Sequence, residues 1–191
     1  FGHNLDNNTV WWEGMGKNPP TSAKNWKGEM WYCTSGEKGA HPNSRFTAPA
    51  INCPCISSEF EAPKGVPLSA IVFGGRRAKT APLVYQSRDW NGGVFVGSIM
   101  ASETTAAATG AVGVVRRDPM AMRPFVGYNM ADYFAHWINM GTKIAKQPKI
   151  FNVNWFRLDK DGNFMWPGFG DNMRVLNWII DRCDGKVDAV E

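Results

Sequence analysis

The segment from Asn152 to Asn172 constrains the fold of this chain most, because it mixes large aromatic side chains with turn-forming residues. Five aromatic residues fall within fifteen positions: Trp155, Phe156, Phe164, Trp166 and Phe169. Between them, the sequence Asp-Lys-Asp-Gly-Asn at 159–163 is typical of a tight turn. We therefore predict a hairpin here. Its aromatic rings either pack beneath the hairpin, or some of them stack on a flat ligand.

Composition indicates a globular domain or a piece of a larger one. The 191 residues are 43% hydrophobic and include nine Trp, which is enough apolar surface for a sizeable core. The net charge of +4 permits an anionic ligand, but no dense run of Lys and Arg indicates nucleic acid. No apolar run is close to the length of about 18 residues that a membrane helix needs. The N-terminal sequence does not resemble a signal peptide. The missing initiator Met predicts a processed product or an excised fragment.

Hydrophobic periodicity predicts both strands and helices. Strands are predicted at 29–33, 68–75, 82–87 and 149–156. Helices are predicted at 129–146 and at 171–183, the latter capped by Asp171 or Asn172. The segment after Asp89 is ambiguous, and we favour a helix because Asp89 can cap it. The sequence thus predicts an α+β fold with mixed, mainly antiparallel sheets and flanking helices.

The four cysteines are too few for a disulfide scaffold. Cys53 and Cys55 form a C-x-C pair, whereas common zinc sites use C-x-x-C. Together with Cys33 and His41 they could supply four metal ligands. We favour the alternative, in which the four cysteines are buried free thiols in a reducing compartment.

Two loops carry arginine beside small polar or glycine residues. In "AHPNSRF" (40–46), Asn43 and Ser44 can donate hydrogen bonds to an anion, and Arg45 can bind a carboxylate or phosphate through two bonds. In "FGGRR" (73–77), paired glycines at a strand end let a ligand approach the backbone, and Arg76 follows at once. The alternative in each case is a turn with solvated arginines. The sequence contains no G-x-x-x-x-G-K-[ST] phosphate loop.

The aromatic segment offers a third candidate site. Phe156 and Phe169 lie on opposite arms of the predicted hairpin, and Phe169-Gly170-Asp171-Asn172 leads into a predicted helix. Stacking of a ring on a base contributes about 1–3 kcal/mol. Backbone groups and Asn172 could then distinguish bases by hydrogen bonds to the base edge. The alternative is that these rings only pack the hairpin.

Taken together, the motifs of this chain resemble the GTP-dependent phosphoenolpyruvate carboxykinases. The resemblance runs from about Trp26 to Ile180 and rests on these stretches in the family's order: "AHPNSRF", "FGGRR", "PLVYQS", "DWNGGVFVG", "DPMAMRPFVGYN", "AHW", "PKIFNVNWFR", "WPGFGDN" and "RVLNW". It implies a decarboxylating lyase of gluconeogenesis that converts oxaloacetate and GTP to phosphoenolpyruvate, GDP and carbon dioxide. It also implies that residues 1–191 are one fragment of the nucleotide-binding C-terminal domain.

The resemblance also implies roles for individual residues. Asn43, Ser44 and Arg45 would bind the oxaloacetate or phosphoenolpyruvate anion. Arg45 and Arg76 would act in catalysis by neutralising phosphate charge during phosphoryl transfer. The residues expected to bind GTP are Arg45, Arg76, Phe156, Phe164, Phe169, Gly170, Asp171 and Asn172. In this assignment Phe156 and Phe169 sandwich the guanine, with Phe164 alongside. Residues 102–113 would be a mobile lid.

Other family features have no counterpart in this sequence. The Mn²⁺ ligands and the phosphate loop are expected upstream, so residues 1–191 are expected to contain no metal ligands and the isolated chain is expected to be inactive. We expect a cytoplasmic and monomeric parent enzyme, with a mitochondrial form as the alternative, and no nucleic-acid or membrane partner. The alternative function is that of a non-catalytic, aromatic-rich module that binds a sugar or another planar ligand. Arg45 with Arg76 argues against it, because neutral sugars need no paired cations.

Overall fold

The computed structural model describes residues 1–45, 47–105 and 111–190, and these form two compact units. The first unit covers residues 1–57. The second covers residues 58–105 and 111–190. Each unit has its own sheets and its own hydrophobic cluster.

The first unit is built on a four-stranded antiparallel sheet. Its strands are β1 (Gly2–Asn4), β2 (Thr9–Trp11), β3 (Ser22–Lys24) and β4 (Met30–Tyr32), in the order β2-β1-β3-β4. Its buried cluster is small and consists of Trp11, Ala23 and Trp31. The two indole rings stack with their centroids 4.7 Å apart. Trp11 of β2 and Trp31 of β4 thus form the aromatic centre of this unit's buried cluster.

The second unit contains a three-stranded sheet with a buried central strand. Its strands are β5 (Ala70–Gly74), β6 (Val84–Gln86) and β9 (Lys149–Val153), in the order β5-β9-β6. Strand β9 pairs parallel to β5 and antiparallel to β6. A separate antiparallel pair joins β7 (Ala101–Glu103) to β8 (Val115–Arg117).

Helices α1 (Trp90–Ser98), α2 (Met130–Lys143) and α3 (Asn172–Asp184) cover the central sheet of the second unit. Successive side chains of a strand point to opposite faces, so Ile150 and Phe151 of β9 enter different clusters. Ile150 packs with Phe73, Trp90 and Val94, on the side of α1 and α2. Phe151 packs with residues of α3. The sheet is therefore covered by helices on both faces.

The predicted α+β class is confirmed, with one parallel pair among mostly antiparallel strands in the described parts of the chain. The helix favoured after Asp89 is also confirmed, and the Asp89 carboxylate caps it by accepting a 2.7 Å hydrogen bond from the Gly92 N–H. That bond is the main reason why the pKa of Asp89 is lowered. Helix α3 begins at Asn172, and its predicted cap is wrong: the Asp171 side chain makes no capping bond, and Asn172 Oδ1 accepts from the Trp166 indole N–H instead.

Two further predictions are wrong. The strand predicted at 149–156 ends at Val153, because Asn154 turns its side chain into the protein to bond two neighbouring loops. The cysteines are free as predicted, but they are not buried: Cys33, Cys53 and Cys55 are exposed, and Cys183 is half-buried. Cys33, Cys53 and Cys55 lie in or beside surface turns, whereas Cys183 lies near the end of α3.

Candidate functional site

Asn154 is the centre of a hydrogen-bond network that joins the Arg76-Arg77 loop to the aromatic segment. Its side chain is 1% exposed. The amide oxygen accepts from the N–H groups of Arg77 at 3.1 Å and Phe156 at 3.2 Å. The amide nitrogen donates to the carbonyls of Arg77, Thr80 and Ala81 at 2.9–3.1 Å. One buried amide therefore fixes the start of both segments.

Arg76 is held in place by residues of strand β7. Its backbone N–H donates to Ser102 Oγ at 3.0 Å, and its Nε donates to the Glu103 carbonyl at 3.1 Å. The Glu103 carboxylate lies 3.7 Å from Arg77 Nε, an ion pair too long for a hydrogen bond, and accepts from the Ala78 N–H at 3.0 Å. These contacts use the Nε side of the Arg76 guanidinium, so its terminal nitrogens are the groups left for an anion.

Residues that connect β7 to β8 belong to the segment predicted as a lid. Ser102 and Glu103 lie in β7, so the segment begins as a paired strand. Thr104 then joins the two ends of this segment at its base. Its Oγ1 donates to the Ala111 carbonyl at 2.5 Å and accepts from the Val114 N–H at 3.0 Å. Residues 106–110 of the predicted lid lie outside the described residues. The Arg76 contacts thus connect a predicted phosphate-binding residue to the base of the predicted lid.

The hairpin predicted at 159–163 is present. Leu158 and Phe164 form its bridge, and the Asp159 carboxylate accepts from the N–H groups of Asp161 and Asn163, each at 2.9 Å. The Asn163 bond is the main reason why the pKa of Asp159 is lowered. Phe156 lies against Phe164 edge-on, with ring centroids 5.8 Å apart. These two predicted guanine-binding rings are therefore brought together by the hairpin.

Phe169 is presented to solvent rather than packed. Its ring is 95% exposed. Its backbone φ of 48° is in the left-handed region and follows Gly168, which has a φ of 77°. Left-handed backbone is unfavourable for a residue with a Cβ and is often found at functional positions. A large apolar ring held in that conformation with almost no protein contact is a candidate for ligand stacking.

The residues after Phe169 are fixed by their neighbours. Asn172 Oδ1 accepts a 2.8 Å bond from the Trp166 indole N–H. Trp166 in turn packs against the Phe151 cluster. Asp171 is paired with Arg174 at 3.3 Å. Among the described residues, no acceptor binds the Asn172 amide NH₂ group, so that donor is available to a base edge.

The predicted anion-binding residues of the first unit lie in a turn organised by His41. The His41 carbonyl accepts from the Ser44 N–H at 2.9 Å, and its Nδ1 accepts from the Asn43 N–H at 3.0 Å. The His41 ring also meets Trp26 edge-on at 4.7 Å. Asn43 and Arg45 are exposed and Ser44 is half-buried. The three residues are thus presented together on one short turn.

Sequence reasoning missed Asn154, Glu103 and the organising role of His41. Except for Phe156, the side-chain partners of Asn154 and Glu103 lie 25 to 77 positions away along the chain, so no local pattern could indicate them. A cavity of about 190 Å³ beside Arg77 is lined also by Gly75, Tyr85 and Asn152. Phe156, Phe164 and Phe169 do not line it. Their exposures of 43%, 63% and 95% show that these rings form an open surface.

The described parts of the chain offer neither a metal cluster nor a membrane-spanning helix. No group of three or more His, Cys, Asp or Glu side chains within 1–45, 47–105 and 111–190 is arranged to hold a metal ion. Within the same ranges, no helix has the length and apolar character needed to cross a membrane.

Comparison with known proteins defines the class to which this fold and site belong. The family described as the phosphoenolpyruvate carboxykinase C-terminal P-loop domain matches residues 3–191, and the chain belongs to that family. The matched region is wider than the motifs indicated, because it includes most of the small first sheet.

Individual relatives carry the same family name. The chain is 59% identical over 182 residues to a phosphoenolpyruvate carboxykinase (GTP) of Anaeromyxobacter sp. (strain K), covering 95% of this chain and 30% of that protein. It is 57% identical over 188 residues to the protein of that name from Renibacterium salmoninarum, covering 97% and 31%. The Treponema pallidum (strain Nichols) protein of that name is 56% identical over 191 residues, covering 95% and 31%. The chain thus spans about a third of the length of these curated relatives.

Proposed function

We propose that this chain supplies the guanine-binding surface and part of the anion site of a GTP-dependent phosphoenolpyruvate carboxykinase. The reaction is the conversion of oxaloacetate and GTP to phosphoenolpyruvate, GDP and carbon dioxide in gluconeogenesis. Support comes from family membership and from the relatives named for this activity. The observation that carries the proposal is the exposed Phe169 ring beside the anchored Asn172.

The local geometry of each segment supports the roles proposed for its residues. Phe169 stacks on one face of guanine, and the Phe156–Phe164 pair provides the second aromatic surface. Asn172, with its amide oxygen already occupied by Trp166, offers its NH₂ donors to the acceptor on guanine O6, where adenine carries a donor instead. A site whose donor faces this position therefore binds guanine and rejects adenine, because adenine would leave that donor without an acceptor.

Arginine supplies the charge on which phosphoryl transfer depends. Arg76 is oriented through its Nε bond to Glu103, so its terminal nitrogens can neutralise phosphate oxygens. Asn43, Ser44 and Arg45 bind the carboxylate or phosphate of the smaller substrate. Residues 102–113 act as a lid that excludes water. Mn²⁺ belongs to the proposed activity of the whole enzyme, but the described residues hold no metal cluster, and none of these roles depends on it.

Localisation and assembly are also proposals. We propose a cytoplasmic, monomeric parent enzyme whose partners are its substrates and GTP or GDP, with no nucleic acid or membrane.

The test is nucleotide binding by the full-length protein carrying Phe169→Ala or Asn172→Ala. Loss of the Phe169 ring should cost about 1–3 kcal/mol of GDP affinity. Loss of the Asn172 amide should lower the preference for GDP over ADP, and it should have a smaller effect on the free energy of unfolding. Both affinities are measured by calorimetry.

Phe60→Ala is the matched control, because Phe60 is another exposed aromatic residue of the second unit, at 57% exposure. That variant should keep its GDP affinity. Unchanged GDP affinity in Phe169→Ala would mean that the ring does not contact the base, and the guanine-binding assignment would have to be withdrawn.

A further inference from the structure

Cys53 and Cys55 are the cysteine pair that the proposed nucleotide and anion sites do not use. They flank Pro54 in a turn that is closed by a 3.2 Å bond from the Ile56 N–H to the Cys53 carbonyl. Proline has a fixed φ and is favoured at the second position of such turns. Both cysteines are exposed and free. The turn therefore holds two accessible thiols on a rigid spacer of one residue.

The separation of the two sulfurs matches a metal chelate better than a disulfide. The Sγ atoms are 3.7 Å apart. A disulfide requires about 2.0 Å. Two thiolates bound at about 2.3 Å to one tetrahedral Zn²⁺ ion lie about 3.8 Å apart. The two thiols are therefore already at the distance that a single thiophilic ion would impose, whereas bond formation between them would require the turn to change.

We propose that Cys53 and Cys55 form a two-thiolate site for a thiophilic metal ion such as Zn²⁺, for which Cd²⁺ is a spectroscopic probe. In the described parts of the chain, no third His, Cys, Asp or Glu side chain joins the pair. The remaining coordination positions are filled by water or by small anions from solution. Soft thiolate ligands select ions of this class over Mg²⁺ or Ca²⁺.

Proton exchange accompanies binding at this site. A hydrogen bond between the two sulfurs and the charge of Cys53 raise the pKa of Cys55. Both sulfurs must lose their protons to coordinate the ion, so binding releases protons to solvent.

The experiment is a titration of the reduced 191-residue chain with Cd²⁺ in the absence of oxygen, followed by the ultraviolet absorption of the cadmium–thiolate bond. We expect saturation at one ion per chain. Cys53→Ser and Cys55→Ser should each weaken binding by at least about 100-fold, because even the loss of an outer-shell partner costs about 10–100-fold. Cys33→Ser, which removes another exposed thiol of the first unit, should leave the affinity unchanged.

Three results would overturn the proposal. One is full Cd²⁺ affinity in Cys53→Ser or Cys55→Ser. Another is a comparable loss in Cys33→Ser, which would place the ion on a different set of thiols. The third is equal affinity in native buffer and in concentrated urea, since the folded turn would then contribute nothing to the site.

Discussion

At the scale of single residues, the site depends on side chains whose partners are distant in sequence. Asn154 makes five hydrogen bonds to backbone groups of four residues while 1% exposed. The amide group can do this because it carries an acceptor oxygen and a donor NH₂ group on one side chain. Asn154 is thus a positioning residue that sets where the Arg76-Arg77 loop and the Phe156 segment begin.

Replacement of Asn154 by Ala should destabilise the protein strongly. The change leaves buried backbone donors and acceptors without partners, and each such group costs about 1–3 kcal/mol. We expect the free energy of unfolding to fall by at least about 2 kcal/mol, as measured by urea denaturation. Asn91→Ala, on the exposed surface of α1, should change stability by less than about 0.5 kcal/mol. Equal stability of the two variants would contradict the role assigned to Asn154.

At the scale of elements, α1 packs directly on β9 because it has glycine where it meets the strand. A Cβ at Gly93 would lie 2.5 Å from Ile150 Cδ1 and 2.7 Å from Ile150 Cβ. The Cβ atom belongs to the strand and cannot swing away. A Cβ at Gly97 would lie 3.0 Å from both Phe73 and Met120. The glycines thus permit a close helix–strand approach that any larger side chain would prevent.

Gly93→Ala should therefore destabilise the protein, although alanine favours helices. Overpacking of this kind costs about 1–3 kcal/mol, and we expect a net loss in that range by thermal denaturation. The control is Gly127→Ala, since a Cβ at Gly127 has no neighbour within 4 Å. That variant should be as stable as the parent or slightly more stable. A stabilising effect of Gly93→Ala would show that α1 does not lie this close to β9.

Elements of this chain could be predicted from sequence where their cause is local. The Asp159 turn, the Asp89 cap and the periodicity of α2 are each set by residues within a few positions of one another. The end of β9 at Val153 could not be predicted, because it depends on loops about 75 residues earlier. The same holds for the site. The aromatic and arginine residues could be found by type, but their supports Asn154 and Glu103 could not.

At the scale of the whole molecule, the two units differ in the size of their cores. The buried cluster of the first unit has three residues. The second unit has clusters on opposite faces of β9, and Phe151 is 0% exposed. Resistance to opening rises with the apolar surface that opening would expose. Stability should therefore be distributed unevenly along the chain.

Hydrogen exchange measured by mass spectrometry should reveal this difference. Amides of β9 should exchange most slowly, and those of β3 should exchange faster because they open with the smaller unit. Both strands are followed in the same sample, and each rate is corrected for the intrinsic rate of its sequence. Slower exchange in β3 than in β9 would contradict this ranking.

The parallel pairing of β5 with β9 also has a consequence for the time course of synthesis. Lys149 pairs with Ala70 and follows it by 79 residues. A ribosome adds about 5–20 residues per second, so β5 waits about 4–16 seconds for its partner. During that interval the sequence Ala-Ile-Val-Phe-Gly has an open edge on which other nascent chains can pair. Production of this protein at high concentration should therefore depend on chaperones that bind short apolar segments.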